Sequence, residues 1–173
     1  MKKLKKMKLA NRCSLQQLND RMLPLGAIDL AAMIGGMGEK LNISGGSLEN
    51  VEGGVLFTGS DGSTCLFEGV SWTSNCVFSG TAYQAMGYIH ISNDWVNAAY
   101  RPFDINDFAH EFGHYLQEQE YGLAYYLGIA APSAAEIYFF NGLYHDLLPG
   151  EQDADKRGEE YMKEHMKKPE PKN

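Results

Sequence analysis

The sequence predicts an α+β fold, a small antiparallel sheet followed by two long helices, and three observations predict it. Residues 55–100 hold short runs rich in Val, Ile, Phe, Tyr and Thr, punctuated by Gly, Ser and Asn, the texture of strands and turns. Residues 105–122 follow a break at Arg101-Pro102 and begin with capping and acidic residues, which suit the positive end of a helix. Residues 150–167 are charged and free of Pro, and read as a last helix.

In chain order, the strand runs are VLFTG, STCLFEGVSW, NCVFSGTAY and MGYIHIS. In Tyr88-Ile89-His90-Ile91 side chains alternate between faces, so Ile89 and Ile91 share one face while Tyr88 and His90 share the other. Asp104 or Asn106 can cap the helix that runs through FAHEFGHYLQEQEY to about Gly122. Residues 123–145 are very apolar and contain Pro132, which predicts two short buried helices. The density of Tyr and Phe there makes a membrane-surface contact the sharper alternative. Glu136 and Asn141 interrupt the run before it is long enough to span a bilayer. Residues 168–173 read as an exposed, disordered tail.

Composition narrows the function. The chain has 173 residues, 15 Lys and Arg against 22 Asp and Glu, and a formal charge of −7, which argues against a nucleic-acid surface. Its 44% hydrophobic and 12% aromatic content is too high for a disordered chain. Residues 1–54 carry eight cations against five anions, which leaves seven against seventeen for the rest. A basic head on an acidic body separates a leader-like segment (1–54) from a domain at 55–167.

The head lacks the uninterrupted apolar run of a secretory signal peptide. It does hold Leu30-x-x-Met33-x-Gly35-Gly36 and Leu48-x-x-Val51-x-Gly53-Gly54. Glycines thread a narrow protease cleft, and the spaced apolar side chains fit pockets upstream. Composition alone also yields Gly-Gly pairs, as at Gly45-Gly46. The two anchored patterns resemble the double-glycine leader of bacteriocin and other ribosomal-peptide precursors, which a peptidase-containing ABC exporter cuts after the second Gly. That resemblance implies a secreted or exported bacterial product; without it the chain is cytoplasmic. LENVEGG is the better-flanked site. A cut after Gly54 discards Cys13 and leaves Cys65 and Cys76, either a disulfide across a hairpin turning near Gly69-Val70 or two buried thiols.

His110-Glu111-Phe112-Gly113-His114 is H-E-x-x-H inside the predicted helix. Residues four apart lie one turn up on the same face, so both imidazoles reach one ion. Glu111 is offset by one position, where it can serve as a general base instead of a ligand. Zn2+ suits two neutral imidazoles and takes a third protein ligand in catalytic sites. Glu151-Gln152-Asp153-Ala154-Asp155 offers one: Glu151 as ligand, Asp155 one turn on as the carboxylate that orients a ligand His, and small Ala154 where two helices pack.

At these residues the chain resembles the gluzincin group of zinc metallopeptidases, which pairs an H-E-x-x-H helix with a downstream E-x-x-[SA]-D helix. The resemblance implies a minimal zincin-like domain with His110, His114 and Glu151 as ligands, Glu111 as base and Asp155 behind His110. The expected activity is hydrolysis of a peptide or protein substrate by a zinc-activated water. In zincins an edge strand upstream of the metal helix binds substrate backbone, which points to Ile89, His90 and Ile91. The oxyanion-stabilising residue of the group is not matched; His165, Tyr161, Tyr144 and His145 are the candidates. The competing reading is an exported bacteriocin-like or signalling precursor whose zinc site is structural or degenerate.

Overall fold

Aromatic and β-branched runs between Gly turns form strands first, and two capped helices close over them. A computed structural model of the chain describes residues 38–169 except 75, 77–79, 99, 100 and 141. The strands are β1 (Lys40–Ile43), β2 (Gly46–Val51), β3 (Gly54–Gly59), β4 (Thr64–Glu68), β5 (Ser71–Thr73), β6 (Ala82–Ala85) and β7 (Tyr88–Ile91). The helices are α1 (Asn93–Val96), α2 (Ile105–Tyr121), α3 (Leu123–Tyr125), α4 (Ala131–Phe140) and α5 (Pro149–His165). A π-helical turn, Tyr126–Ala130, joins α3 to α4, and a 3-10 turn, His145–Leu147, precedes α5.

The fold is therefore α+β, as expected. Strands β1-β2-β3-β4 make an antiparallel sheet in sequence order, while β5-β7-β6 make a second sheet in which β5 runs parallel to β7. Asn50 joins the two: its amide donates to Trp72 O at 3.0 Å and its Oδ1 accepts from Trp72 N at 3.0 Å. An amide side chain used this way replaces a backbone ladder step between sheets.

Three sequence expectations change here. Residues 40–51, expected in a leader-like segment, form β1 and β2, and Leu48 is fully buried. Within LENVEGG, Leu48–Val51 belong to β2, Gly53 stands at the β2–β3 turn and Gly54 opens β3. The other Gly-Gly pattern, ending at Gly36, lies outside the described residues. The expected hairpin bringing Cys65 to Cys76 does not form, because β4 and β5 belong to different sheets. Neither Cys65 nor Cys76 is in a disulfide: Cys76 Sγ donates to Thr81 O at 3.6 Å, and burial pushes the Cys65 thiol up to about 11. Finally, the apolar segment 123–145 is buried only in part: Tyr125 is 3% exposed, but Leu123, Leu127, Tyr138, Phe139 and Leu143 are all more than two-thirds exposed. Pro132 directly follows the π-helical turn Tyr126–Ala130, one residue into α4. No helix among the described residues is long and apolar enough to cross a membrane.

Helix α2 positions the rest of the fold through successive i, i+4 pairs. Phe108 and Phe112 meet Phe67 of β4 edge-on, with ring centroids 4.9 and 5.0 Å away. Burying each of these rings contributes about 1.5–3 kcal/mol. Ala109 and Gly113 face α5, and His110 and His114 face the space beside it. Asp104 caps the helix in a full capping box with Asp107, which satisfies otherwise orphaned N–H groups.

The α2–α5 contact is backbone on backbone. A Cβ on Gly113 meets Ala154 O at 2.0 Å, and one on Gly158 meets Ala109 O at 2.1 Å. Alanine in place of an interior helix glycine ordinarily gains up to about 1 kcal/mol. Here the sign reverses. Gly113→Ala and Gly158→Ala each destabilise the protein by about 1–3 kcal/mol, because the two helices are forced apart; urea unfolding checks this, and an unchanged or raised midpoint refutes the contact.

Candidate metal centre

Because α2 and α5 touch along their backbones, the first turn of α5 lies against the second and third turns of α2. Glu151 Oε2 is 3.0 Å from His114 Nε2 and 3.2 Å from His110 Nε2. The ligand atoms of His110, His114 and Glu151 all lie within 4.8 Å of one another. His114 and Glu151 are buried, with the Glu151 side chain 1% exposed, while His110 is half-buried.

Each imidazole is held from behind. His110 Nδ1 donates to Asp155 Oδ1 at 2.7 Å, and His114 Nδ1 donates to Gln117 Oε1 at 2.9 Å. Acceptors at Nδ1 turn both Nε2 atoms toward the centre and fix the tautomer that a metal needs. Asp155 thus stands where the sequence reading put it. Gln117 was not anticipated: it is fully buried one turn beyond His114, and its amide donates to Gly150 O at 2.8 Å and Asp153 Oδ2 at 2.9 Å. A polar residue on the apolar face of α2 was the available signal.

The donor set fits a divalent cation. Glu151 Oε1 is buried with no hydrogen-bond partner, and an orphaned carboxylate oxygen beside two neutral-imidazole donors is what an ion resolves. Without an ion, protons fill that role. Burial disfavours charge on His110, but Glu151, Glu111 and Asp155 outweigh it and raise its pKa to about 9. Burial likewise disfavours charge on Glu151, yet hydrogen bonds from His110, His114 and His145 hold its carboxyl well below the usual range.

Glu111 does not belong to the trio. It is buried, and that burial raises its pKa despite the nearby His114 and His110. It lines a cavity of about 210 Å³ together with His114, Tyr125, Gln84 and Ser133. Tyr125 is also buried, its ring centroid 6.1 Å from that of His114, and burial pushes its hydroxyl up. A larger cavity of about 360 Å³ is lined by Ile129, Pro132, Pro149 and Glu151, whereas Glu111 and His114 share the smaller one.

The expected substrate strand is corrected. β7 is the middle strand of its sheet, with β5 on one side and β6 on the other, so its backbone has no free edge for strand addition. Ile89 and Ile91 are core residues, and His90 stacks on Tyr83 at 4.5 Å. The edge strand against α2 is β6, whose Ala82, Tyr83 and Gln84 line the cavity with Glu111. Of the four oxyanion candidates, Tyr161 donates to Leu66 O at 2.8 Å and stacks on His165 at 3.9 Å, which makes both structural. Tyr144 is half-exposed. His145 alone approaches the site, its Nε2 3.2 Å from Glu151 Oε2.

The chain matches no protein-family model, no curated protein and no solved structure, so the site stands on its own geometry.

A cation must displace the His110 proton. In the metal-free protein, the stabilisation from that proton is fully present below the ordinary pKa of 6.5 and is lost as pH rises through about 9. Zn2+ affinity, measured by chelator competition, should therefore strengthen by roughly tenfold per pH unit across that window and level off above it. A flat profile refutes the His110 assignment.

Proposed function

We propose that this chain is a zinc metalloendopeptidase-like hydrolase of the gluzincin type, with His110, His114 and Glu151 as ligands and Glu111 as general base. The observation that carries this reading is the separation of roles around one centre. Three donors with pinned geometry converge, and a fourth ionisable group, Glu111, faces an adjoining cavity without joining them.

Zn2+ bound there supplies a Lewis acid that polarises a carbonyl and acidifies water. The protein supplies the remainder. Glu111, its pKa raised by burial, is suited to accept a proton on a carboxylate oxygen and to hand it on to a leaving amine. β6 offers a strand edge to extended substrate backbone beside Glu111. The neutral lining of the cavity, with Ala82, Ala130, Ser133 and Ala134, suits a small side chain. Tyr125 is the hydroxyl available to a developing oxyanion.

Glu111→Gln should retain stoichiometric zinc and lose peptide-library hydrolysis by at least about 100-fold; unchanged hydrolysis removes Glu111 as base. Glu151→Ala should lose the zinc, read by metal analysis after gel filtration.

Export is part of the proposal. A cut after Gly54 removes β1 and β2, with buried Leu48 and the Asn50 bridge between sheets. Gly54 itself is packed so that a Cβ meets Phe67 O at 2.1 Å. We therefore place the peptidase-containing exporter's cut after Gly36. Intact mass of the exported product should correspond to a chain starting at Met37; a chain starting at Val55, or the full-length protein outside the cell, refutes this.

The precursor reading, with a structural or degenerate zinc site, is favoured by the approach of a third imidazole, His145, to Glu151. Membrane-surface contact is supported by α4, where Ile137, Tyr138, Phe139 and Phe140 follow one another around the helix and all are exposed. At about 100° per residue they cover almost its whole circumference, and a bilayer surface can surround such a tip.

A further inference from the structure

Three buried polar atoms near the metal centre have no hydrogen-bond partner: Glu151 Oε1, His145 Nδ1 and Glu136 Oε2. They form a connected row. His145 Nε2 lies 3.2 Å from Glu151 Oε2, and His145 Nδ1 lies 3.8 Å from Glu136 Oε2, just beyond a hydrogen bond. Leaving such groups unpaired in the interior is unfavourable. A row of them marks a site completed by something that draws it together.

The row repeats the construction of the two established imidazole positions. His110 has Asp155 behind Nδ1, and His114 has Gln117. His145 has Glu136, a residue only 6% exposed on a helix otherwise apolar, whose Oε1 already accepts from Tyr144 N at 2.7 Å. That second bond ties Glu136 to the residue preceding His145. All three Nε2 atoms converge on the same oxygen of Glu151, at 3.0 to 3.2 Å.

We propose that His145 is a fourth metal donor, closing the site in its resting state and giving way when substrate enters. This rests on the metallopeptidase reading above and adds a residue to it. The three inner ligands stand on 17-residue helices that touch along their backbones. His145 stands instead on a three-residue 3-10 turn flanked by exposed Leu143, Tyr144 and Leu147. It lies outside the group whose ligand atoms are within 4.8 Å of one another. A donor on a short, solvent-facing turn can be exchanged; donors on the helix pair cannot.

The test uses the full chain with Zn2+ and with Co2+ as a spectroscopic substitute. His145→Ala should lower Zn2+ affinity at least about tenfold, the loss that follows removal even of an outer partner. In the Co2+ protein it should weaken the visible absorption as water replaces the imidazole and coordination rises above four. Peptide hydrolysis at saturating zinc should rise, because the vertex that His145 closes is then open. Affinity and spectrum unchanged overturns the proposal, and so does a loss of hydrolysis in the saturated variant, which assigns His145 to the transition state. His145→Gln, which keeps the bulk and a hydrogen bond to Glu151, should behave like His145→Ala; if it keeps wild-type affinity, packing and not ligation is the cause. Failure of the underlying reading looks different: the unaltered chain binds no zinc, or Glu111→Gln hydrolyses peptides normally.

Discussion

Everything in this protein that touches chemistry depends on two helices coming closer than side chains ordinarily permit. Gly113 of α2 rests on the carbonyl of Ala154, and Gly158 of α5 rests on the carbonyl of Ala109. These contacts set the register in which Glu151 reaches His114 and His110 at once. They also bring Asp155 behind His110 and Asp153 behind Gln117. A single rigid pairing of helices therefore fixes both the donors and the groups that orient them, and the sheet beneath holds α2 in place through Phe67, Phe108 and Phe112.

The electrostatics follow from that geometry. A carboxylate with 1% exposure is tolerable only where positive charge compensates it. In the absence of an ion, protonated imidazoles supply it, which is why His110 is shifted upward while Glu151 is shifted downward. Protons thus neutralise a centre whose three donors could also hold a cation. Glu111 escapes this arrangement because it faces the cavity at β6, and burial there pushes it in the opposite direction from Glu151.

How much was legible in the sequence follows from which signals are local. A cap at Asp104 or Asn106, a helix end at about Gly122 and a last helix over 150–167 are written in neighbouring residues, and the structure sets the cap at Asp104, the end at Tyr121 and the last helix at Pro149–His165. The His110–His114–Glu151 group was legible because helical periodicity and two short motifs together constrain it. The sheet order was not. Nothing local tells a middle strand from an edge strand, so β7 passed for an edge strand, a position that β6 holds. Nor does hydropathy record what covers a segment: residues 123–145 are as apolar as a core, yet Tyr138 and Phe139 face outward. His145 was visible only as one candidate among four, since its approach to Glu151 depends on the turn before α5.

The close approach of α2 and α5 has a bearing on how the motif itself is to be understood. Its spacer letters are not all free. The helix pair demands a residue without a side chain between the ligand histidines, a methyl at most before Asp155, and another bare backbone three positions after it. Spelled out as A-H-E-x-G-H followed by E-x-x-A-D-x-x-G, the signature includes spacers as binding as the donors, and a chain bearing the donors alone lacks what makes them meet.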